Sequence, residues 1–435
     1  MEKYFGTDGI RGKAFERLTP ELAFKVGQSL KTALNASVIV IGMDTRESSP
    51  VLAYAISNGA LSVGVDVIFA GVVSTPMIAY YSKEKQMTGI MITASHNPYQ
   101  DNGIKVFNNG YKTKEDEELI IESFIDSKSL PISSFGKFTL SNDVSDTYKN
   151  IYLKLNLKPT SLKIAYDSAN GANYLISKAI FDMIAPNSIQ IENHPDGKNA
   201  NFNCGSTHIE NIISYVQSNH LDLGFAFDGD GDRVYAVDNQ ANIYDGDMIV
   251  YMIGVYLKKK NLLNKDTLVL TKMSNLGMIK ALHDQGIRAS LTDVGDKYVA
   301  QEMFANDYLV GGESCGHIIL SHLLHTGDGL LVAIYLLKIL EELQTTFYDL
   351  TKDVTLYPIK FINIKNIKKS VLNLPLVMQK VDEIKTKLGD NSLLLVRPSG
   401  TEDLIRVTLS ALNKDLVETL SNELVSFIEK EGKSL

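Results

Sequence analysis

The sequence predicts an α/β protein: three similar mixed-sheet α/β domains and a smaller C-terminal α+β domain. Short apolar runs alternate with helix-period patterns three times over, the order that builds sheets with helices on their faces. In each of the three units the third apolar run ends in a loop dense in charged and polar residues. Ligands of such sheets gather at the carboxyl ends of the strands, so the three loops are expected at equivalent positions facing one cleft. At 435 residues the chain also exceeds what one hydrophobic core organises.

Composition narrows the class. Apolar residues make up 44% and charged residues 22%, as in an ordinary soluble protein. The net charge of −8 argues against a general nucleic-acid or anionic-membrane binder, while leaving room for a local cationic pocket. Cys204 and Cys315 are the only cysteines, too few for a disulfide framework and consistent with a reducing compartment. Met1-Glu2-Lys3-Tyr4-Phe5-Gly6 lacks a signal-peptide pattern, and the apolar stretches at 248–257 and 330–337 are too short to span a bilayer. The expectation is a cytoplasmic protein with a small-molecule partner and neither nucleic acid nor membrane; a homodimer stays open.

The first domain is expected over 1–149. Phe5-Gly6-Thr7-Asp8-Gly9-Ile10-Arg11-Gly12 reads as a tight loop presenting the Arg11 guanidinium, with a plain Asp-Gly turn as the alternative. Thr19 and Pro20 start a helix as N-cap and first helical residue. A strand over 37–42, a helix over 50–64 and a strand over 66–69 follow, the last ending at Ser74-Thr75-Pro76. A third strand over 89–92 runs into Thr93-Ala94-Ser95-His96-Asn97-Pro98. The serine-rich stretch 127–145 reads as surface turns before a boundary.

The second domain, 150–241, has strands over 162–166 and 188–192, and a third over 223–227 that enters the acidic loop at Asp228. A boundary is expected near 237–245. The third domain, 242–354, has strands over 267–270, 288–291 and 308–310; a turn at Ser274-Asn275 and a helix follow the first, and the last leads to Gly311-Gly312-Glu313-Ser314-Cys315-Gly316-His317. Asp328 reads as the N-cap of an apolar helix over 330–343 rather than as a ligand. The last domain, 355–435, has strands over 359–364, 393–397 and 404–409 and helices over 374–387 and 414–430.

Four loops carry chemistry. In Asp228-Gly229-Asp230-Gly231-Asp232-Arg233, glycines let three alternate carboxylates aim at one point. Anions this close repel, and a hard divalent cation, Mg²⁺ or Ca²⁺, relieves them. An EF-hand is excluded, because Arg233 and Asn239 stand where it needs Gly and Glu. Arg233 is placed to hold a phosphate oxygen. The loop at Ser95 sets a hydroxyl, His96 and, further on, Lys105 around one strand end, so Ser95 suits a nucleophile or a phosphoryl carrier. No Ser–His–acid triad and no Gly-x-Ser-x-Gly surrounds it, which disfavours acyl hydrolysis. Arg397, Ser399, Gly400, Thr401 and Arg406 supply two planar forks, two hydroxyls and an approachable backbone, the inventory for a phosphate dianion. Glu313 suits vicinal sugar hydroxyls, and His317 or Lys105 suits proton transfer.

These loops, in this order, resemble the α-D-phosphohexomutase family across essentially the whole chain. The resemblance implies four domains around a central cleft, with the last one mobile. It makes Ser95 the phosphoserine of the active enzyme and assigns Mg²⁺ to Asp228, Asp230, Asp232 and a phosphate oxygen on Ser95. It also implies substrate contacts from Arg233, Glu313, Cys315, Arg397, Ser399, Gly400, Thr401 and Arg406, with Arg11 and Lys105 flanking Ser95. Phe5 to Gly12, Cys204-Gly205-Ser206-Thr207-His208, Met273-Ser274-Asn275-Leu276-Gly277 and Val294-Gly295-Asp296-Lys297-Tyr298 point to the amino-sugar branch. There the expected reaction is glucosamine 6-phosphate ⇌ glucosamine 1-phosphate through glucosamine 1,6-bisphosphate. The sequence departs from the family pattern at Ser314, usually Gln, at Cys315, usually Ser, and at Asp403, usually Pro. Phosphomannomutase or phosphoglucomutase chemistry, a non-catalytic sugar-phosphate sensor and a Mg²⁺-dependent phosphatase are the rival readings.

Overall fold

Three sheets repeat one strand order, and that order decides where the loops meet. The structure, a computed structural model, describes residues 3–132, 134–398 and 404–433. In the first sheet Asp66–Val72, Val38–Met43, Thr88–Ile92 and Asp101–Asn108 lie side by side. The second sheet has Ile189–Ile191, Ile164–Asp167, Leu223–Phe227 and Val234–Asp238; the third has Arg288–Thr292, Thr267–Thr271, Val310–Gly312 and Ile318–Leu320. In every case the third strand in sequence lies parallel to the first and antiparallel to the fourth. The loops at Ser95, Asp228 and Glu313 are therefore the turns of three equivalent antiparallel hairpins.

The chain falls into two compact units. The larger, Met1–Met273 with Ala289–Leu350, holds these three sheets. Phe5–Gly6 and Gly9–Lys13 extend the first sheet beyond Asp101–Asn108, and Phe138–Leu140 closes its other edge. The smaller unit is Ser274–Arg288 with Thr351–Leu435. Its antiparallel sheet runs Ile359–Lys365, Leu404–Ser410, Leu393–Pro398, backed by helices Pro375–Leu388 and Lys414–Gly432. Helix Leu276–Asp284 belongs to this unit as well: Asn275 exchanges two hydrogen bonds of 2.9 Å with the Tyr357 main chain while capping Gly277 N–H. Ser399, Gly400, Thr401 and Asp403 lie outside the described residues.

Local signals explain much of this. Thr19 accepts from Leu22 N–H at 3.2 Å and starts helix Pro20–Ala33. Asp328 caps helix Gly329–Leu343 by accepting from Leu331 N–H at 2.9 Å. The two longest apolar stretches become buried helices, and among the described residues no helix is long and apolar enough to cross a membrane.

Three expectations are corrected. Stretch 127–145 is more than turns: Phe138–Leu140 forms a strand, with the Phe138 ring against Phe69 at 5.8 Å, and helix Asp143–Lys154 begins. All three strand residues are exposed, so the stretch carries no alternating burial signal. The tight loop expected to present Arg11 is instead a hairpin, with Arg11 inside strand Gly9–Lys13, while the short pairing through Ile243–Tyr244 completes the second sheet at the boundary expected near 237–245. The strand expected over 308–310 forms at Val310–Gly312, where two glycines, depleted in strands generally, face Ile318 and Ile319 in register.

Helices Pro20–Ala33 and Ser49–Ser62 pack against the first sheet, with Leu22, Val26, Leu30, Leu52 and Ile56 joining Ile39 and Ile41 in one core. They touch backbone to backbone: a Cβ on Gly27 would lie 2.1 Å from Ile56 O, and one on Gly59 would lie 2.0 Å from Phe24 O. Gly59→Ala is expected to force the helices apart and cost about 3 kcal/mol. A lowered urea midpoint checks this; an unchanged midpoint contradicts the contact.

Candidate active site

The Ser95 loop begins where Thr88–Ile92 ends. Ser95 is fully buried and adopts the left-handed region at φ 53°, a conformation that costs a non-glycine residue about 1–3 kcal/mol and persists only where surroundings enforce it. Its N–H donates to Thr93 Oγ1 at 2.9 Å, and its carbonyl accepts from Arg46 at 2.8 Å and Asn201 at 2.9 Å. So held, the Ser95 hydroxyl donates to Asp228 Oδ2 at 2.6 Å, and its oxygen lies 3.3 Å from His96 Nδ1. Burial, then the Arg233 and Arg11 charges, lower the His96 imidazole to about 4.

Asp228, Asp230 and Asp232 are all buried, and one oxygen of each lies within 4.8 Å of the others. The glycines between them are structural requirements. Gly231 has φ 77°, and a Cβ on Gly229 would lie 2.6 Å from the Ser95 carbonyl. Asp228 Oδ1 accepts from the N–H groups of Gly231 and Arg233 at 3.1 and 3.2 Å, folding the loop around that carboxylate. Burial, then the charges of Asp232 and Asp230, push the Asp228 carboxyl well above its ordinary value.

The compensating cation is Lys105. Its ammonium lies 2.8 Å from Asp230, 2.8 Å from Asp232 and 3.1 Å from Asp8. Burial alone would lower Lys105, yet these three carboxylates hold it well above its usual range. Asp230 also accepts from Thr75 Oγ1 at 2.6 Å, and its carbonyl from Thr75 N–H at 3.0 Å, at the start of helix Thr75–Lys85. Asp230 Oδ1 and Asp232 Oδ1 are buried without a hydrogen-bond partner among the described residues. An all-oxygen set with two such atoms fits a hard divalent cation.

A chain of charges links this cluster to the third sheet. Asp8 pairs with Arg11 and, at 2.6 Å, with Lys112; Lys112 also pairs with Asp296. Asp296 lies 3.5 Å from His317 Nε2. The main chain of Arg233 forms a bridge with that of His317, so the metal loop and the Glu313 loop share a seam. Arg233 Nε stands 4.0 and 3.9 Å from Asp228 and Asp232. Glu313 accepts from Gly295 N–H at 3.1 Å, and burial raises its carboxyl. Cys315 is half-buried, and burial pushes its thiol up to about 11.

The larger unit thus brings together Ser95, the three aspartates, Lys105, Arg11, Arg233, Glu313, Cys315 and His317. In the smaller unit Arg397 and Arg406 are direct cross-strand partners, which puts two guanidinium groups on one sheet face. Sequence reasoning assigned no role to Asp8, Thr75, Lys112, Asn201 or Asp296. Asp8, Thr75 and Asp296 lay in loops it singled out, but, Arg11 aside, their partners are distant in sequence.

The fold and site define a family. The chain belongs to the phosphoglucomutase/phosphomannomutase family, whose α/β/α domains I, II and III match residues 2–131, 145–242 and 245–357 and whose C-terminal domain matches 362–426. Phosphoglucosamine mutase of Lactococcus lactis subsp. cremoris (strain SK11) is 41% identical over 99% of both chains. A family protein from Burkholderia thailandensis shares the fold with TM-score 0.82 at 20% identity, over 99% of this chain and 98% of that one. Aspergillus fumigatus N-acetylphosphoglucosamine mutase, solved with GlcNAc-6P and magnesium, has TM-score 0.72 at 15% identity, over 99% and 96%.

A hard divalent cation at a hundredfold excess over its Kd is expected to stabilise the protein by about 2.7 kcal/mol. Asp230→Asn should lose most of that gain. Thermal unfolding with and without the cation measures both; equal shifts would show that the triad is not the metal site.

Proposed function

We propose that the protein is a phosphoglucosamine mutase, interconverting glucosamine 6-phosphate and glucosamine 1-phosphate by way of a phosphoserine at Ser95. The observation that carries this reading is the Ser95 hydroxyl seated 2.6 Å from Asp228 at the edge of a buried carboxylate triad. A hydroxyl there is poorly placed for acyl transfer and well placed to carry a phosphoryl group whose charge a cation shares. The amino-sugar assignment draws on the relatives named phosphoglucosamine mutase at about 41% identity over the whole chain.

In the proposed cycle the phosphoryl group leaves Ser95 Oγ for O1 of glucosamine 6-phosphate, giving glucosamine 1,6-bisphosphate and a free serine. The bisphosphate turns over in the site, and its 6-phosphoryl returns to Ser95, leaving glucosamine 1-phosphate. Mg²⁺, held by Asp228, Asp230, Asp232 and a phosphate oxygen on Ser95, would neutralise charge on the transferring group. Lys105, held as an ammonium among Asp230, Asp232 and Asp8, stabilises the same charge. His317 has neither ring nitrogen hydrogen-bonded among the described residues and is the better-placed carrier for the O1 proton. The proposal assigns Arg11 and Arg233 to the transferring phosphoryl group, Glu313 and Cys315 to the sugar hydroxyls, and Arg397, Ser399, Gly400, Thr401 and Arg406 to phosphate binding.

Glucosamine 6-phosphate, with a trace of 1,6-bisphosphate to prime the enzyme, should be isomerised by the parent and not by Ser95→Ala. The expected loss is several orders of magnitude, since no neighbouring group replaces the carrier. Near-normal turnover by Ser95→Ala would remove Ser95 from the mechanism.

Sugar choice rests on few contacts, because phosphate and metal sites recognise what all hexose phosphates share. An ammonium at C2 gains from a carboxylate such as Glu313 more than a hydroxyl does. Values of kcat/KM should therefore favour glucosamine phosphates over glucose and mannose phosphates by a few kcal/mol at most. A preference for glucose or mannose phosphate would reassign the substrate and leave the chemistry standing.

A further inference from the structure

Arg46 is a buried arginine to which the proposed cycle gives no part. It follows strand Val38–Met43, the parallel neighbour of Thr88–Ile92, and so emerges at the same end of the first sheet as the Ser95 loop. Its side chain is completely partnered. Nε donates to Asp44 Oδ2 at 2.8 Å. Nη1 donates to the carbonyls of Pro98 and Asp101, and Nη2 to those of Ser95 and Asn97, both at 2.8 Å. A guanidinium has five N–H donors. Here one meets a carboxylate and the others meet four main-chain carbonyls, three in the loop that carries Ser95 and one at Asp101, where the next strand begins.

The residues on either side of Arg46 are fixed to the second domain. Thr45 Oγ1 donates to the Asn170 carbonyl at 2.7 Å, and Glu47 N–H to the Gly197 carbonyl at 2.9 Å. From the opposite side Asn201, also of the second domain, donates its amide to the Ser95 carbonyl at 2.9 Å. Asp44 is in turn held by Ser49 Oγ at 2.6 Å and by Arg46 N–H at 3.1 Å. The segment from Asp44 to Glu47 is therefore a bracket. Its side chain at Arg46 grips the serine loop, and its flanks grip the domain that supplies Asp228.

We propose that Arg46, with Asn201, is a positioning residue that keeps the Ser95 oxygen registered on the carboxylate triad and closed to water throughout the phosphoryl cycle. This rests on the phosphoserine reading above. Ser95 occupies a strained backbone conformation, and two of the three hydrogen bonds its main chain makes come from Arg46 and Asn201. Loosening the carbonyl lets the residue relax and swings Oγ away from Asp228. A misplaced phosphoserine is attacked by water: the Ser95 Oγ–P bond breaks, water oxygen bonds to phosphorus, and Ser95 hydroxyl and inorganic phosphate result. The enzyme then stops until bisphosphate primes it again.

The test compares the parent with Arg46→Lys and Asn201→Ala, using glucosamine 6-phosphate, saturating Mg²⁺ and glucosamine 1,6-bisphosphate. Lysine keeps the charge but has three donors from one point and cannot span four carbonyls. Arg46→Lys should lower kcat roughly a hundredfold with KM nearly unchanged, as expected for misplaced reacting atoms. The ratio of inorganic phosphate released to sugar phosphate isomerised should rise about tenfold or more. Asn201→Ala removes one donor outside the arginine cage, and should move both quantities the same way by less, so it decides the matter if Arg46→Lys does not fold. A purely structural role would lower Tm and the fraction of protein that accepts phosphate, while leaving kcat per phosphorylatable site and the release ratio unchanged. That result in an active parent overturns the proposal alone. A parent that isomerises no hexose phosphate overturns the functional reading and this proposal together.

Discussion

Burying three carboxylates within a few ångströms of each other is the constraint to which the larger unit answers. Asp228, Asp230 and Asp232 cannot all be ionised in a dry site unless positive charge is brought to them. The chain supplies Lys105 from the first sheet, Arg233 from the loop itself and Arg11 from the N-terminal hairpin. Each donor needs its own anchor, and Asp8 provides it by pairing with Lys105, Arg11 and Lys112. Lys112 in turn recruits Asp296, which starts the helix after strand Arg288–Thr292 of the third sheet. One electrostatic problem in the second domain is thus answered by residues of the first and third domains as well, all within one compact unit.

The same constraint shapes the chemistry. With Asp228 driven up and two buried oxygens unpartnered among the described residues, the triad fits a divalent cation. On the proposed function, a bound cation would let it accept the additional charge of a phosphoryl group. On the proposed phosphoserine reading, Lys105 and a cation would act on the same carboxylates, Asp230 and Asp232. The bare backbone of Gly229 lets the metal loop press against the Ser95 carbonyl.

The parts legible in the sequence were those written into single segments. The strand-then-loop pattern at Ser95, Asp228 and Glu313 placed each loop at a strand end, and the hairpin topology of all three sheets bears this out. Thr19 and Asp328 announced their helices through side chains that cap the next turn. The illegible parts depend on partners far along the chain. Nothing local marks Lys112 as the bridge between Asp8 and Asp296, or Asn201 as a donor to Ser95, because lysines and asparagines are ordinary surface residues. Phe138–Leu140 escaped notice because an exposed edge strand has no buried face to impose alternation.

The shared order of strands in the three sheets has an evolutionary and engineering consequence. Each functional loop enters from a strand held by its parallel neighbour and leaves through an antiparallel return. The sheets register only where such an insert starts and stops. The three loops therefore occupy equivalent sockets, each locked to its neighbours by contacts of its own. Substrate repertoire can diverge by rewriting a handful of codons between fixed strand ends, while the hydrophobic layers beneath stay under separate selection.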